Sequence, residues 1–123
     1  MVVFDFDKTL TIKDTVFDFF IFCSKMNKTF SYINYFIYLF IMILCKINIV
    51  SNKRLKKIGI YLFLSKIKSY DLDNFVKLFS KSIKLNDKVV EIFKRYPKSD
   101  VIICSASFED YIKYIFPNTK ILA

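Results

Sequence analysis

Short apolar runs of strand length alternate with long helical stretches along this chain. Residues 2–4 (VVF) and 101–104 (VIIC) are continuous apolar runs that end in polar residues, and 120–123 (KILA) begins a third run of this kind. Between the first two, from about residue 14 to 83, apolar residues recur at three- and four-residue spacing without proline, which predicts helices. The order β, long helical insert, α, β, α, β predicts an open parallel α/β sheet of about three strands with right-handed crossovers.

Capping residues and prolines predict the helix boundaries in the second half of the chain. Asp71 is expected to be the N-cap of one helix, and Asn86 to begin another that Pro97 closes. Ser107 stands three residues before an acidic residue and predicts the start of a third helix, which Pro117 ends.

Composition narrows the class of protein. The chain has 123 residues, enough for one domain with a real core, so two large independent domains are excluded. Its apolar fraction of 54%, with one Gly and two Pro, excludes a disordered chain and indicates a packed or membrane-associated protein. The net charge is +9, and 18 of the 20 cations are Lys, which favours anionic substrates or membrane surfaces over reading of base edges.

The missing and rare residue types exclude several kinds of chemistry. The sequence has no His, which rules out Ser-His-Asp and Cys-His catalysis and most mixed zinc sites. Cys23, Cys45 and Cys104 lie in apolar runs, and we expect them to be buried thiols in a reducing compartment. Asp5 and Asp7 interrupt the apolar start and no small-residue cleavage site follows, so the start indicates a cytoplasmic protein.

The candidate chemistry lies in the loop after the first strand. Asp5 and Asp7 are one residue apart there, a spacing that tends to aim both carboxylates to the same side. Two such carboxylates share a proton or a hard cation, of which Mg²⁺ is the natural choice. One Asp can then attack phosphorus while the other protonates the leaving oxygen and activates water, with Thr9 and Ser105 as further hydroxyls. The alternative is a structural role, because Asp and Thr commonly cap turns.

These residues resemble the signatures of a known family. Residues 5–11 (DFDKTLT) are similar to the first signature of the haloacid dehalogenase-like (HAD) phosphohydrolases, and 101–105 (VIICS) to the second. The helical insert matches the cap position of the phosphoserine phosphatase-like branch, subfamily IB. The stretch Ser105-Ala106-Ser107 is similar to the sequence of the second motif in that branch. The resemblance implies a Rossmannoid core at 1–14 and 85–123 with an all-helical cap at 15–84.

The resemblance also implies a function and roles for residues. It implies Mg²⁺-dependent hydrolysis of phosphomonoesters through an aspartyl-phosphate, with Asp5 as nucleophile and metal ligand. Asp7 would be the general acid/base, and its backbone carbonyl would meet the metal. Ser105 would bind the phosphoryl group, and Thr9 would add a hydroxyl to the loop or to the phosphoryl oxygens. Lys8 stands where many members have Gly, and we expect it to be a solvated side chain.

Two family features have no counterpart in this sequence. The family places a Lys after a later helix and an acidic loop after the next strand, whereas this chain ends at Ala123, and Lys113 and Lys120 fall too early for that Lys. We therefore expect a C-terminally truncated phosphatase. The alternatives are a non-catalytic, membrane-associated remnant, or one half of a split phosphatase whose missing motifs come from a second chain.

The apolar middle of the chain bears on partners and location. Residues 29–45 are 17 residues without a charge, flanked by lysines. A helix of that length spans about 26 Å, less than a hydrocarbon core of about 30 Å, so we expect a helix that is buried or lies in the membrane interface, at the inner face of the membrane. Some subfamily IB relatives with apolar caps act on phospholipid head-group phosphates, so the substrate is expected to be such a phosphate or a small phosphorylated compound. No nucleic-acid partner is expected, because the lysines are scattered and no base-stacking motif accompanies them.

Overall fold

The chain folds as a mixed α/β protein with a three-stranded parallel sheet. The computed structural model describes residues 2–12, 14–105 and 107–122. Ala106 of the second predicted signature and Ala123 of the third predicted strand lie outside these residues. The strands and helices follow in the order β1 (Val2–Asp5), α1 (Val16–Met26), α2 (Tyr32–Lys46), α3 (Asn52–Gly59), α4 (Ser69–Ser82), α5 (Asp87–Lys94), β2 (Val101–Cys104), α6 (Glu109–Ile115) and β3 (Lys120–Leu122).

The sheet has the strand order β1-β2-β3, and both pairs of neighbours are parallel. The register pairs Val2 with Val101 and Asp5 with Cys104, so β1 and β2 end at the same level. The central strand is buried from Val101 to Ile103, as expected of a continuous apolar run in a parallel sheet. The predicted parallel α/β architecture is therefore confirmed at the level of fold class.

The chain divides into two compact units. One unit, the sheet unit, comprises Met1–Asp18 with Val76–Ala123, and the other, the helical unit, comprises Phe19–Phe75. The boundaries predicted from the sequence, 1–14 with 85–123 and 15–84, differ from these by four residues at the first boundary and by nine at the second. The C-terminal half of α4 belongs with the sheet unit, where the Phe79 ring packs edge-on against Tyr111 with a centroid distance of 5.2 Å.

The core of the sheet unit is built from aromatic rings. Phe93 of α5 contacts Phe4 of β1 at 5.1 Å and Phe116, just after α6, at 4.8 Å between ring centroids. Phe6 in turn contacts Phe116 and Tyr111, and both Phe6 and Tyr111 are fully buried. These contacts fix the segment that follows β1 against α6, the helix that follows β2.

A cluster of three rings forms the core of the helical unit. Phe20 of α1, Tyr38 of α2 and Phe63 lie within 5.5–5.7 Å of one another between centroids, and Phe20 and Phe63 are stacked. Phe63 lies in a π-type turn, Ile60–Leu64, that continues α3. The Asn34 amide of α2 donates a hydrogen bond to the Leu62 carbonyl at 3.2 Å. Within the described part of the chain, no helix is long and apolar enough to cross a membrane.

Several predicted boundaries differ from the structure. Asp71 is not the N-cap of α4, which begins two residues earlier at Ser69, so Asp71 lies in the first turn. Asn86 is the N-cap residue of α5, as predicted. Ser107 does not begin α6, because its hydroxyl is bonded to another residue described below, and the helix begins at Glu109. It ends at Ile115, before Pro117.

The three cysteines are free thiols in different surroundings. Cys23 is fully buried, as predicted, and burial raises the pKa of its thiol to about 12. Cys45 and Cys104 are only half-buried, so the prediction of burial is wrong for these two.

Candidate active site

A tight π-type turn, Phe6–Leu10, follows β1 and carries the candidate residues. The Thr11 amide donates to the Phe6 carbonyl at 3.0 Å and closes the turn, and the Lys8 amide donates to the Thr11 hydroxyl at 3.2 Å. Phe6 and Leu10 are fully buried and anchor the two ends of the turn. The three residues between these anchors, 7–9, are therefore held at the end of the sheet by local bonds and by apolar packing.

The Asp7 carboxylate is held by a buried network of hydroxyl groups. One of its oxygens accepts hydrogen bonds from the Thr15 amide at 3.0 Å and from the Thr15 hydroxyl at 2.7 Å. Its other oxygen accepts a hydrogen bond from the Ser107 hydroxyl. The Thr15 oxygen also lies 2.7 Å from the Tyr111 hydroxyl. Because the single Thr15 hydroxyl proton goes to Asp7, Tyr111 is the donor to Thr15.

Tyr111 is a permanent donor in this network. Its side chain is fully buried, and burial raises the pKa of its phenol to about 12. The Asp7 charge adds to this rise in pKa, and hydrogen bonding with Ser107, Thr15 and the Phe108 backbone opposes it. The phenol therefore keeps its proton at neutral pH and supplies it to Thr15, which is also buried. A chain of hydrogen bonds runs from α6 to the Asp7 carboxylate.

Asp5 has very different surroundings from Asp7. It is the last residue of β1 and is exposed, and one carboxylate oxygen accepts a hydrogen bond from the adjacent Phe6 amide at 2.9 Å. The sequence predicted that both carboxylates would face one small volume and share a proton or a cation. The structure instead gives Asp7 its own set of hydrogen-bond donors and leaves the Asp5 side chain open to solvent. This difference in environment suits two distinct chemical roles.

Ser105 follows the central strand β2 at the carboxyl end of the sheet. Asp5 pairs with Cys104 across β1 and β2, so Ser105 is the first residue past that level. The Ser105 amide donates to the Leu122 carbonyl at 2.9 Å, which continues the pairing with β3. Its hydroxyl oxygen accepts a hydrogen bond from the Ser107 amide at 2.9 Å, a bond that leaves the hydroxyl's own proton for another acceptor.

The two remaining residues of the first signature lie on the turn itself. Thr9 is half-buried between the exposed Lys8 and the buried Leu10. The Lys8 ammonium lies 3.2 Å from the Asp14 carboxylate, and both side chains are well exposed, as expected of a solvated lysine. The backbone of Lys8 has φ of 61°, in the left-handed region that favours glycine. A glycine at this position would adopt the same turn without strain.

The resemblance implies a Mg²⁺ site at this end of the sheet. The candidate ligands implied by the resemblance are the Asp5 carboxylate and the Asp7 backbone carbonyl. The Asp7 carboxylate accepts hydrogen bonds from Thr15 and Ser107. Among the described residues, no group of three or more acidic, Cys or His side chains could enclose a metal. Mg²⁺ sites of this kind use one or two carboxylates, with water and substrate phosphate completing the octahedron.

A cavity of about 220 Å³ adjoins the network at Thr15. Its lining carries charges of both signs: Asp14 and Asp18 come from one segment of the chain and Lys84 from another. Asp5 and Asp7 are not part of its lining. The cavity therefore meets the candidate site at Thr15 and at Thr11, the residue that closes the turn.

Sequence reasoning missed three members of the site. The sequence predicts Ser107 at the start of a helix, and it predicts no role in the site for Thr15 or Tyr111. A tyrosine among apolar positions was the available signal, because a buried phenol needs a hydrogen-bond partner. The partner could not be identified, since Thr15 and Tyr111 are 96 residues apart.

Comparisons of the chain with family models, with curated proteins and with solved structures found no match. Function is therefore inferred from the geometry of the two loops and from their resemblance to phosphohydrolase signatures.

Proposed function

We propose that this chain carries the catalytic residues of a Mg²⁺-dependent phosphomonoester hydrolase of the HAD type. One observation carries the proposal: Asp5 pairs with Cys104, and the Ser107 hydroxyl donates to the Asp7 carboxylate. The loop that follows β1 and the loop that follows β2 are thereby joined at the carboxyl ends of neighbouring parallel strands. Ligand sites of open α/β sheets lie at such ends.

The two aspartates divide the reaction between them. In the first step an Asp5 carboxylate oxygen bonds to phosphorus, the ester P–O bond breaks, and the protonated Asp7 carboxyl gives its proton to the leaving oxygen. In the second step the Asp7 carboxylate takes a proton from water, and the water oxygen bonds to phosphorus. The Asp5–phosphorus bond then breaks and inorganic phosphate leaves. Asp5 suits the role of nucleophile because its side chain is exposed to an incoming phosphoryl group.

Thr15, Ser107 and Tyr111 are positioning residues in this proposal. Their hydrogen bonds fix the orientation of the Asp7 carboxylate. Asp7 alternates between a charged and a protonated form during the reaction. A hydroxyl group can donate or accept, so the Ser107 and Thr15 hydroxyls can serve both forms without movement of the backbone.

The phosphoryl group would be held beside Asp5. The Ser105 hydroxyl donates to a phosphoryl oxygen, and Thr9 adds a second hydroxyl from the turn. Mg²⁺, held by Asp5 and the Asp7 carbonyl, would neutralise the phosphoryl charge when bound. The substrate class is a phosphomonoester, either a small phosphorylated compound or a phospholipid head-group phosphate.

A thermal melt tests the proposal without knowledge of the substrate. Mg²⁺ with beryllium fluoride, which mimics a phosphoryl group on an aspartate, should raise the Tm of the chain. Asp5→Asn should abolish that rise, because the amide cannot form the adduct. Asp14→Asn, at an exposed aspartate of the same unit, is the matched control and should keep it. An unchanged Tm for the unmodified chain, or an equal rise in Asp5→Asn, would overturn the proposal.

A second candidate is one half of a split phosphatase. β1 pairs with β2 on one side, and among the described residues no strand pairs with its other side. An open strand edge accepts a strand from another polypeptide. Under this alternative the chain alone would not respond to beryllium fluoride, and a response would appear only after addition of a second polypeptide that supplies a strand to this edge.

A further inference from the structure

All of the net charge of this protein comes from one part of the chain. Residues 19–70 contain nine Lys and Arg and no Asp or Glu, whereas the remaining residues carry eleven charges of each sign. That cationic segment lies entirely within the helical unit, Phe19–Phe75, and makes up nearly all of it. The sheet unit with the candidate active site is close to neutral, so the phosphate chemistry does not account for the cationic segment.

The same unit exposes an apolar stripe on α2. Six exposed residues, called here the α2 stripe, recur at three- and four-residue spacing along one side of the helix and onto its C-cap residue, Ile47. The other five are Ile33, Phe36, Ile37, Phe40 and Ile43. Ile33 is 73% exposed and Phe36 is 63% exposed. The opposite side packs inward through the buried Tyr38. An ordinary surface helix presents polar residues to water, so this apolar outer face is the feature that needs an explanation.

Cations lie at both ends of α2. Lys25 and Lys28 precede it, and the Lys25 ammonium lies over the Phe30 ring at 5.1 Å from its centroid. Further along the chain, past the exposed Ile49, Lys53, Arg54 and Lys57 of α3 line a shallow cleft of about 210 Å³. An apolar face with cations at both ends is typical of helices that lie in the interface of an anionic bilayer.

We propose that the helical unit docks on a bilayer containing anionic phospholipid, with the α2 stripe inserted among the lipid chains and the flanking cations on lipid phosphates. Charge selects this occupant: a segment with nine cations and no acid would repel a second copy of itself but is attracted to an anionic surface. The 15 residues of α2 extend about 22 Å, too short to cross the hydrocarbon core, so the helix lies along the surface. This proposal is independent of the hydrolase activity.

Vesicle binding tests the proposal on the full 123-residue chain. The chain has no Trp, so Phe40→Trp places a single fluorescent reporter in the stripe, and Ile92→Trp places a matched reporter on an exposed position of α5 in the sheet unit. Vesicles of phosphatidylcholine with phosphatidylglycerol should shift the Phe40→Trp emission to the blue. Vesicles of phosphatidylcholine alone should not, and the Ile92→Trp emission should not respond to either.

Two sets of variants separate the apolar and the electrostatic contributions in a sedimentation assay. Phe36→Ser with Phe40→Ser should abolish binding, with circular dichroism as the check of folding. Lys53→Gln, Arg54→Gln and Lys57→Gln together should weaken binding on the order of 100-fold, at about a fivefold loss for each cation near an anionic surface. Lys81→Gln, Lys88→Gln and Lys94→Gln in the sheet unit are the control and should bind as the unmodified chain does.

Three results would overturn the proposal. One is equal binding to neutral and anionic vesicles. Another is unchanged binding by the Lys53, Arg54 and Lys57 variant. In the third, the chain binds neither kind of vesicle and sediments as a dimer, and the variant with Phe36→Ser and Phe40→Ser is a monomer. This result would assign the stripe to an interface with a second copy of the protein.

Discussion

The Ser107 hydroxyl donates a hydrogen bond to the carboxylate of Asp7, a residue 100 positions earlier in the chain. This bond joins the loop after β1 to the loop after β2, and it adds to the Thr15 and Tyr111 hydroxyls to complete a network around one carboxylate. A general acid/base loses and regains a proton during one reaction cycle. Hydrogen bonds to its carboxylate suit this role, because they keep the carboxylate in one orientation between the two steps.

Removal of the Ser107 hydroxyl should impair both stability and turnover. Ser107→Ala leaves one Asp7 oxygen without its buried donor, and we expect a loss of about 1–3 kcal/mol in the free energy of unfolding. If Asp7 is the general acid/base, kcat for a phosphomonoester should also fall, by roughly one to two orders of magnitude. Denaturant titration and steady-state kinetics measure the two effects.

A double-mutant cycle shows whether Ser107 acts through Asp7. In an Asp7→Asn background, Ser107→Ala should cost markedly less stability than in the unmodified chain, since the two groups interact directly. Ser80→Ala removes a serine hydroxyl that bonds within its own helix, and it is the control for loss of a hydroxyl. Additive effects of the Asp7 and Ser107 changes would contradict the assigned contact.

Tyr111 should make the protein sensitive to alkaline pH. Its folded-state pKa of about 12 lies above the usual value near 10, so the folded state binds the phenol proton more tightly than the unfolded state does. The stabilisation is complete below pH 10 and is lost as the pH rises from 10 to 12, a loss of roughly 2 kcal/mol. Tyr111→Phe lacks this proton, so its stability should fall less steeply over that range.

The comparison needs a control because Cys23 and Tyr38 also have pKa values raised to about 12 by burial. Tyr114→Phe, at an exposed position on α6, keeps all three buried groups and should follow the unmodified chain. Urea unfolding at several pH values between 9 and 12 gives the three curves. Parallel curves for Tyr111→Phe and the unmodified chain would refute the prediction.

Lys8→Gly should stabilise the turn that carries Asp7. Lys8 has φ of 61°, where a side chain is strained and glycine is not, so the substitution should raise the free energy of unfolding by up to about 1 kcal/mol. The ion pair with Asp14 is exposed and its loss should cost little. Lys8→Ala is the matched control, because it removes the same ion pair and keeps the strain. A Tm for Lys8→Gly at or below that of Lys8→Ala would contradict the predicted relief of backbone strain.

Gly59→Ala should destabilise the helical unit, against the usual helix preference for alanine. A Cβ at Gly59 would lie 2.6 Å from Cζ and 2.8 Å from Cδ2 of Phe20, a fully buried ring stacked on Phe63. Overpacking of this kind costs about 1–3 kcal/mol, which exceeds the helix-propensity gain of about 1 kcal/mol. Thermal unfolding measures the effect, and Phe20→Leu added to Gly59→Ala should recover part of the lost Tm. An increase in Tm on Gly59→Ala alone would show that the ring moves freely.

The sequence determined the elements of the fold and the ends of its strands. The runs at 2–4 and 101–104 form neighbouring parallel strands. Ser105 follows the end of β2 as predicted, whereas Asp5, predicted in the loop, is the last residue of β1. These features are local, because hydrophobic period and chain breakers act over a few residues. The start of α6 was predicted wrongly, since Ser107 has the composition of a cap but its hydroxyl bonds to Asp7 instead.

The surroundings of Asp7 and the exposed side of α2 depend on tertiary packing. Thr15 and Tyr111 lie 96 residues apart, and no periodicity links them. Residues 32–45 of α2 are uncharged on every side, so the pattern could not distinguish the face that packs on Phe20 and Phe63 from the face that carries the exposed stripe. A local pattern records the preference of each residue for water or for the interior. Contacts between residues far apart in the sequence depend on the tertiary packing of the whole chain.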